Sequence, residues 1–196
     1  MSYEALPNGE LAAVVTYLDM CVPPSQDVPS SPLSLRRIKV PQTDAYRTLF
    51  RLVGAPWLWF SRLIMDDAAL RAIIGDPQVE LFAVVDKTDR EVGMLELDFR
   101  ESGQCELAFL GLVADLAGQG HGRWLLAEAI SRAWRDGIER VHVHTCSLDH
   151  PAALPAYRRA GFTPCKRAIE RFPDPRLLGI LPIDAAPQIP LLGTPA

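Results

Sequence analysis

Long hydrophobic runs are missing from this 196-residue chain: its longest, such as residues 107–114, fall far short of the roughly 20 residues that cross a bilayer, so no membrane span is expected. The opening MSYEALPNGE lacks a basic start leading into an apolar stretch, so no secretory leader is expected either. Cysteine is scarce. Cys21, Cys105, Cys146 and Cys165 include no CxxC pair, and a chain this long builds a core without disulfides, which points to reduced thiols in a cytoplasm. Positive charge is not in excess: 20 Lys and Arg stand against 24 Asp and Glu, a net charge of −4 that gives no electrostatic reason for a nucleic-acid partner. Internal repeats and low-complexity tracts are also absent. What remains is 48% hydrophobic and 22% charged, which suits one globular domain with a substantial core.

Proline is plentiful but unevenly placed, and it marks the edges. Residues 22–32 read as an extended linker, and residues 173–196 hold six of the seventeen prolines. Residues 11–20, a strand or short helix, and the tail are both too apolar to float, so each is expected to pack on the domain or on a second subunit, as in a homodimer. The organisation is thus an N-terminal segment and linker (1–32), a central catalytic-type domain (33–172) and a tail (173–196).

Between the edges, residues 33–40 are strand-like and 43–74 read as two or three helices, the last opening on Asp66 and Asp67 as cap candidates. Strands are expected over 79–86, 91–100 and 105–113, joined by turn-like links as an antiparallel meander. Leu126, Ala129, Ile130, Ala133 and Trp134 recur at helical spacing. A short strand (140–146), a helix (151–160) ended by Gly161 and a last strand complete an α/β pattern.

Residues 116–126, LAGQGHGRWLL, alternate glycines 118, 120 and 122 with Gln119 and His121. A glycine-rich turn between a strand and a helix presents backbone N–H groups and the helix N-terminus to an anion. A P-loop would need Lys-Ser/Thr after Gly122, where Arg123 and Trp124 stand. A dinucleotide fold would put its third glycine at 123 and an acid at the end of the next strand, where Thr145 and Cys146 stand. The pyrophosphate of coenzyme A and a bare tight turn are the remaining readings.

Two blocks carry a resemblance. Ala117-Gly118-Gln119-Gly120-His121-Gly122 follows Leu110-Gly111-Leu112-Val113, and thirty residues on His150-Pro151-Ala152-Ala153 leads to Tyr157 and Gly161-Phe162. In this order and spacing they resemble the GNAT superfamily of acyl-CoA N-acyltransferases, over roughly residues 35–170, and a bacterial subgroup of unassigned substrate. The resemblance implies a mixed, mostly antiparallel sheet flanked by helices and splayed between the coenzyme strand and residues 140–146. It also implies acetyl-CoA as co-substrate, bound by Leu110, Leu112, Val113, Gly118, Gln119, Gly120, His121, Gly122, Arg123, His150 and Ala153. Two positions depart from the pattern: Ala117 replaces Gln or Arg, with Arg123 able to supply the charge, and His150 replaces Asn.

Acetyl transfer to an amine needs a neutral nucleophile, and at pH 7 only about one alkyl amine in a few thousand is neutral. Glu106, on the strand entering the loop, is the candidate base. Glu96 and Asp98, expected on the wet face of the preceding strand, and a water chain are the alternatives. Tyr157 matches the family tyrosine that assists thiolate departure, and a backbone N–H near Leu112 would meet the developing oxyanion. His142, His144 and Cys146 share one strand face, where i, i+2 spacing spreads them roughly 6.5–7 Å apart, too far for a lone zinc site, so no metal is expected and His144 is read as lining the acceptor pocket. By resemblance Trp59 and Arg62 floor that pocket, with Arg62 meeting an acidic group of the acceptor, a small-molecule or peptide amine. A non-catalytic acyl-CoA-binding module is the competing reading.

Overall fold

The computed structural model describes residues 3–25 and 27–194. Seven strands form one sheet: β1 (Glu10–Met20), β2 (Ser34–Arg37), β3 (Val79–Val85), β4 (Glu91–Asp98), β5 (Gln104–Leu112), β6 (Arg140–Cys146) and β7 (Thr163–Pro173), in the order β2-β3-β4-β5-β6-β1-β7. All neighbours are antiparallel except β5 and β6. This is the mixed, mostly antiparallel sheet that the pattern implies, with β3, β4 and β5 as the meander.

Helices cover both faces. On one lie α1 (Thr43–Gly54) and α2 (Asp67–Ile74), whose Tyr46, Phe50, Val53 and Leu70 pack on Leu81, Ala83 and Met94. Asp66 caps α2, its Oδ1 accepting from the Ala69 N–H at 2.7 Å, which satisfies one of the orphan donors of a helix start. On the other face lies α3 (His121–Ala133), whose Leu125, Leu126, Ala129 and Ile130 pack on Leu95, Leu97 and Leu107. The short α4 (Ala153–Arg159) contributes the buried Tyr157 to the same core. Trp134 ends α3 rather than continuing it.

This double cover corrects one expectation. Glu96 is not on a wet face: its residue is 0% exposed, because Met94 and Glu96 project under α1 while Leu95 and Leu97 project under α3. Alternation of apolar and charged residues signals a half-exposed strand only when one face lacks a layer.

The segment 11–20 is a strand, and it occupies an interior slot. β1 pairs with β6 (Tyr17 opposite His144) and with β7 (Val14 opposite Ile169), so residues from the chain's start separate two late strands. Ala13, Val15, Leu18 and Met20 are buried accordingly. From Met20 the linker runs to β2 at the far edge of the sheet, and Val28 and Leu33 pack on the main core on the way. The tail packs beside the 55–63 segment. Leu181 and Ala186 join Leu58, and the buried Arg176 binds Asp174 at 2.7 Å and the carbonyl of Ile189 at 2.9 Å.

Candidate active site

The site is an opening in the sheet. β5 and β6 pair only at Gln104–Arg140, Cys105–Val141 and Glu106–His142, and beyond Glu106 they part. A β-bulge explains the divergence: Leu97 faces Leu107 and Glu96 faces Phe109, leaving Ala108 as an extra residue that bends β5. The cleft so formed, about 1620 Å³, runs from the loop before α3 through the splay to the α1 side of the sheet.

On the α3 side, Gly118 (φ +75°) and Gly120 (φ +84°) take left-handed conformations that turn the chain into α3. No side chain among the described residues caps the helix start. A Cβ built on Gly118, Gly120 or Gly122 meets nothing within 4 Å among the described residues, so the loop presents its backbone to the cleft. Leu110, Leu112, Val113, Arg123, Ala153 and His150 line the cleft with these glycines. Gln119 and His121 do not. The Gln119 amide donates to the Asp115 carbonyl at 2.8 Å and so ties the loop to itself. His150 Nδ1 accepts from the Ala152 N–H at 3.0 Å, and its ring lies 5.0 Å from that of Trp57.

At the fork of the splay, Glu106 Oε1 lies 3.2 Å from His144 Nδ1. The hydrogen bond to His144 holds the Glu106 carboxyl below its ordinary range, against burial. The same bond raises the imidazole above its usual 6.5. His142, facing Glu106 across the last pair, is shifted the other way by burial. Tyr157 lines the cleft from α4; burial pushes its phenol well above 10, and its hydroxyl has no hydrogen-bond partner among the described residues.

The α1 side is aromatic and charged. Phe109, turned inward past the bulge, meets Phe50 at 4.8 Å and Trp59 at 5.3 Å between ring centroids. Gly111 permits this approach, since a Cβ there would lie 2.6 Å from Val53 Cγ1. Trp59 Nε1 donates to Asp149 Oδ1 at 3.0 Å, linking the segment after α1 to the β6–α4 loop; Asp149 also accepts from Thr145 and the Cys146 N–H.

Arg62 lines the cleft, but its charge is already engaged. Its Nη2 donates to Glu96 Oε1 at 2.5 Å, while Tyr46 donates to Glu96 Oε2 at 2.5 Å. Burial alone would lower the guanidinium, yet Glu96 opposite it leaves it above its usual value; burial and the Glu96 charge drive Tyr46 far above 10. Arg62 Nε is buried without a partner among the described residues. The expectation that Arg62 meets an acidic group of the acceptor is therefore corrected: the acid it meets is Glu96. Sequence reading named Glu96 only as an alternative base on a wet face, and missed Tyr46, Phe109 and Asp149 as site residues. The bulge that aims Phe109 has no sequence signature, and only Asp149, in a turn beside His150, carried a local hint.

The family model described as the acetyltransferase (GNAT) family matches residues 46–162, more than half of the chain. No curated protein matches the chain. Among solved structures it is similar to a GCN5-related N-acetyltransferase from Sphaerobacter thermophilus (20% identity, TM-score 0.60, 82% of this chain and 51% of that one). It is also similar to a GCN5-related N-acetyltransferase from Kribbella flavida (18% identity, TM-score 0.53, 85% and 60%). A third is an aminoglycoside acetyltransferase from an uncultured soil metagenomic sample, in complex with sisomicin (20% identity, TM-score 0.53, 66% and 88%). The chain spans about half the length of the Sphaerobacter protein, and at such identities the likeness is one of fold. Taken with the family match over residues 46–162, the splayed sheet and its glycine loop identify the chain as a member of the GNAT acetyltransferase family.

Proposed function

We propose that this protein moves the acetyl group of acetyl-CoA to a primary amine, on a small molecule or peptide, by direct attack in a ternary complex. The observation that carries the reading is the opening of β5 from β6, with the glycine loop before α3 lining the cleft on one side and Glu106–His144 on the other. The loop N–H groups and Arg123 fit a pyrophosphate, and the unpaired edge of β5 beyond Glu106 offers N–H groups to a pantetheine arm and to the carbonyl oxygen as it gains charge. Glu106, with His144, takes the proton of the attacking amine. The new C–N bond forms as the C–S bond breaks, and Tyr157 donates a hydrogen bond to the departing sulfur. The free thiols of Cys21, Cys105, Cys146 and Cys165 favour the cytoplasm as the compartment. No helix among the described residues is long and apolar enough to cross a membrane. Thiol release from acetyl-CoA across a panel of amines tests the proposal. Retained acetyl-CoA binding with no release for any amine would leave a binding module.

Gly122 gives a clean test of the anion site. It lies inside α3 without a positive φ, so Gly122→Val brings no backbone strain and removes a helix-weakening glycine. Thermal stability should hold while acetyl-CoA affinity, by calorimetry, falls about 10–10²-fold through lost charge-assisted hydrogen bonds. Unchanged affinity would refute the assignment. Gly120→Val is less clean, because its φ of +84° strains any side chain.

The pH profile should report the Glu106–His144 pair. Because Glu106 raises His144, the imidazole stays protonated at pH values where a free one is neutral, so kcat/KM should rise through an apparent pKa above 6.5. Glu106→Gln removes the leading cause of that shift, and the limb should move to lower pH while the plateau drops. A limb that stays in place would exclude His144 as its source.

Tyr157→Phe removes the hydroxyl with little change of volume. A thiolate whose thiol titrates near 8.5 is a weaker base than this phenolate, so full proton transfer from Tyr157 is uphill and a hydrogen bond to charged sulfur is the reasonable role. Such a bond contributes about 1.5–3 kcal/mol, so the single-turnover rate should fall about 10–10²-fold with acetyl-CoA affinity nearly unchanged. An undiminished chemical step would make Tyr157 a packing residue.

A further inference from the structure

The two ends of the cleft carry opposite charge. At the α3–α4 end, Arg123 and Arg159 line it without a carboxylate partner among the described residues, and the linker's Asp27, next to Val28 on the α3-side core, is the carboxylate that lines the cleft there, so the two arginines still outnumber it. At the α1 end each lining arginine is neutralised within the chain, Arg62 by Glu96 and Arg100 by Asp98, both at 2.5 Å. Three further carboxylates line that end. Glu106 has only His144, and Asp149 is held by the neutral donors of Trp59, Thr145 and Cys146. Glu170, exposed on β7, forms no ion pair or hydrogen bond among the described residues, and its field reaches His144.

From this asymmetry we infer that the acceptor is a di- or polyamine bearing no carboxylate, its reacting amine at Glu106–His144 and a second ammonium at Glu170 and Asp149. The inference rests on the acetyl-transfer reading and specifies its second substrate. Glu170 lies two strand spacings across from His144 and four residues along β7, a backbone separation of roughly 16 Å. Both side chains are on the same sheet face and the Glu170 field still reaches His144, so a flexible aliphatic diamine extended between the two side chains can meet both. Phe172, its ring tilted against that of Phe60 at 5.0 Å between centroids, lies beside Glu170 on the same wall and offers an aromatic face to a cation. An amino-acid acceptor would bring a carboxylate among three carboxylates, with no uncommitted arginine at that end of the cleft among the described residues to receive it. The nearby Lys166 lies over the Tyr17 ring at 5.1 Å, outside the cleft lining.

Three probes of equal chain length separate the terms: 1,6-diaminohexane, hexylamine and 6-aminohexanoate. Thiol release should give the diamine a kcat/KM about tenfold above hexylamine, and 6-aminohexanoate about a hundredfold below the diamine. Glu170→Gln should pull the diamine-to-hexylamine ratio toward one. A 6-aminohexanoate rate equal to or above the diamine's overturns the inference, as does an unaltered ratio in Glu170→Gln. Calorimetry on the CoA-saturated protein needs no turnover. Tighter diaminohexane than 6-aminohexanoate binding with no thiol release would sink the transfer reading and keep the cation preference. No preference in binding would sink the preference itself.

Discussion

A chain lacking residues 1–21 is expected not to fold cooperatively, although this segment lies outside the matched family region at 46–162. β1 is flanked by β6 and β7 through paired registers of its own, so its loss strips both of ladder partners and leaves β7 with no neighbour in the sheet. It also removes Leu18 and Met20 from the main core, uncovering Val143 and Phe162. The buried side chains of Ala13, Val15, Leu18 and Met20 contribute together about 5–8 kcal/mol by the usual 1.5–3 kcal/mol for each large residue, which rivals the net stability of a domain. The expected readout is loss of a cooperative thermal transition and of near-ultraviolet dichroism. A peptide of residues 8–21 added in trans should restore part of both. Leu18→Asp, which puts an unpaired carboxylate at a fully buried position, should give the same outcome within the full chain. A truncated chain melting like the full one would mean that β1 is dispensable, contrary to its place in the sheet.

The second large effect concerns Glu96. Glu96→Ala leaves Arg62 buried without its counter-charge and Tyr46 without an acceptor, beneath the aromatic cluster that floors the acceptor side. Removing one partner of a buried pair typically costs about 3–5 kcal/mol, here a fall in Tm of about 6–20 °C for a chain of this size. Replacing both partners by apolar residues of similar volume, as in Glu96→Leu with Arg62→Met, should recover most of that loss, because the desolvation cost of both charges vanishes with them. Thermal melts of the two single variants and the double variant form the cycle that decides it. A Glu96→Ala protein within 2 °C of the parent would show that the cluster is wetter and looser than its burial implies. Acceptor KM should rise in Glu96→Ala even at temperatures well below its melting transition, since Arg62 stacks 5.2 Å from the Phe109 ring centroid and holds that wall.

Local signals in the sequence determined the meander of β3, β4 and β5, the amphipathic α3, the glycine turn between strand and helix, and α4 ending at a left-handed Gly161. Each follows from interactions within a few residues: period-two or helical patterning, cap chemistry, and the conformational freedom of glycine. They also sufficed for the two blocks whose resemblance names the family. Tertiary structure alone decided the rest. Sequence patterning showed that residues 11–20 must be covered, but only pairing with strands more than a hundred positions away put them between β6 and β7. Glu96 reads as a solvent-facing residue until a second helical layer closes over its face. The bulge at Ala108, which opens the sheet and turns Phe109 toward the acceptor side, depends on the register of β5 against β4, and register is settled by packing across strands, not by the strand's own residues. For the same reason the sequence named Arg62 as a binding residue and the fold gave it Glu96 as its partner: charge is written in the chain, but which charges meet is decided by the layers that bury them.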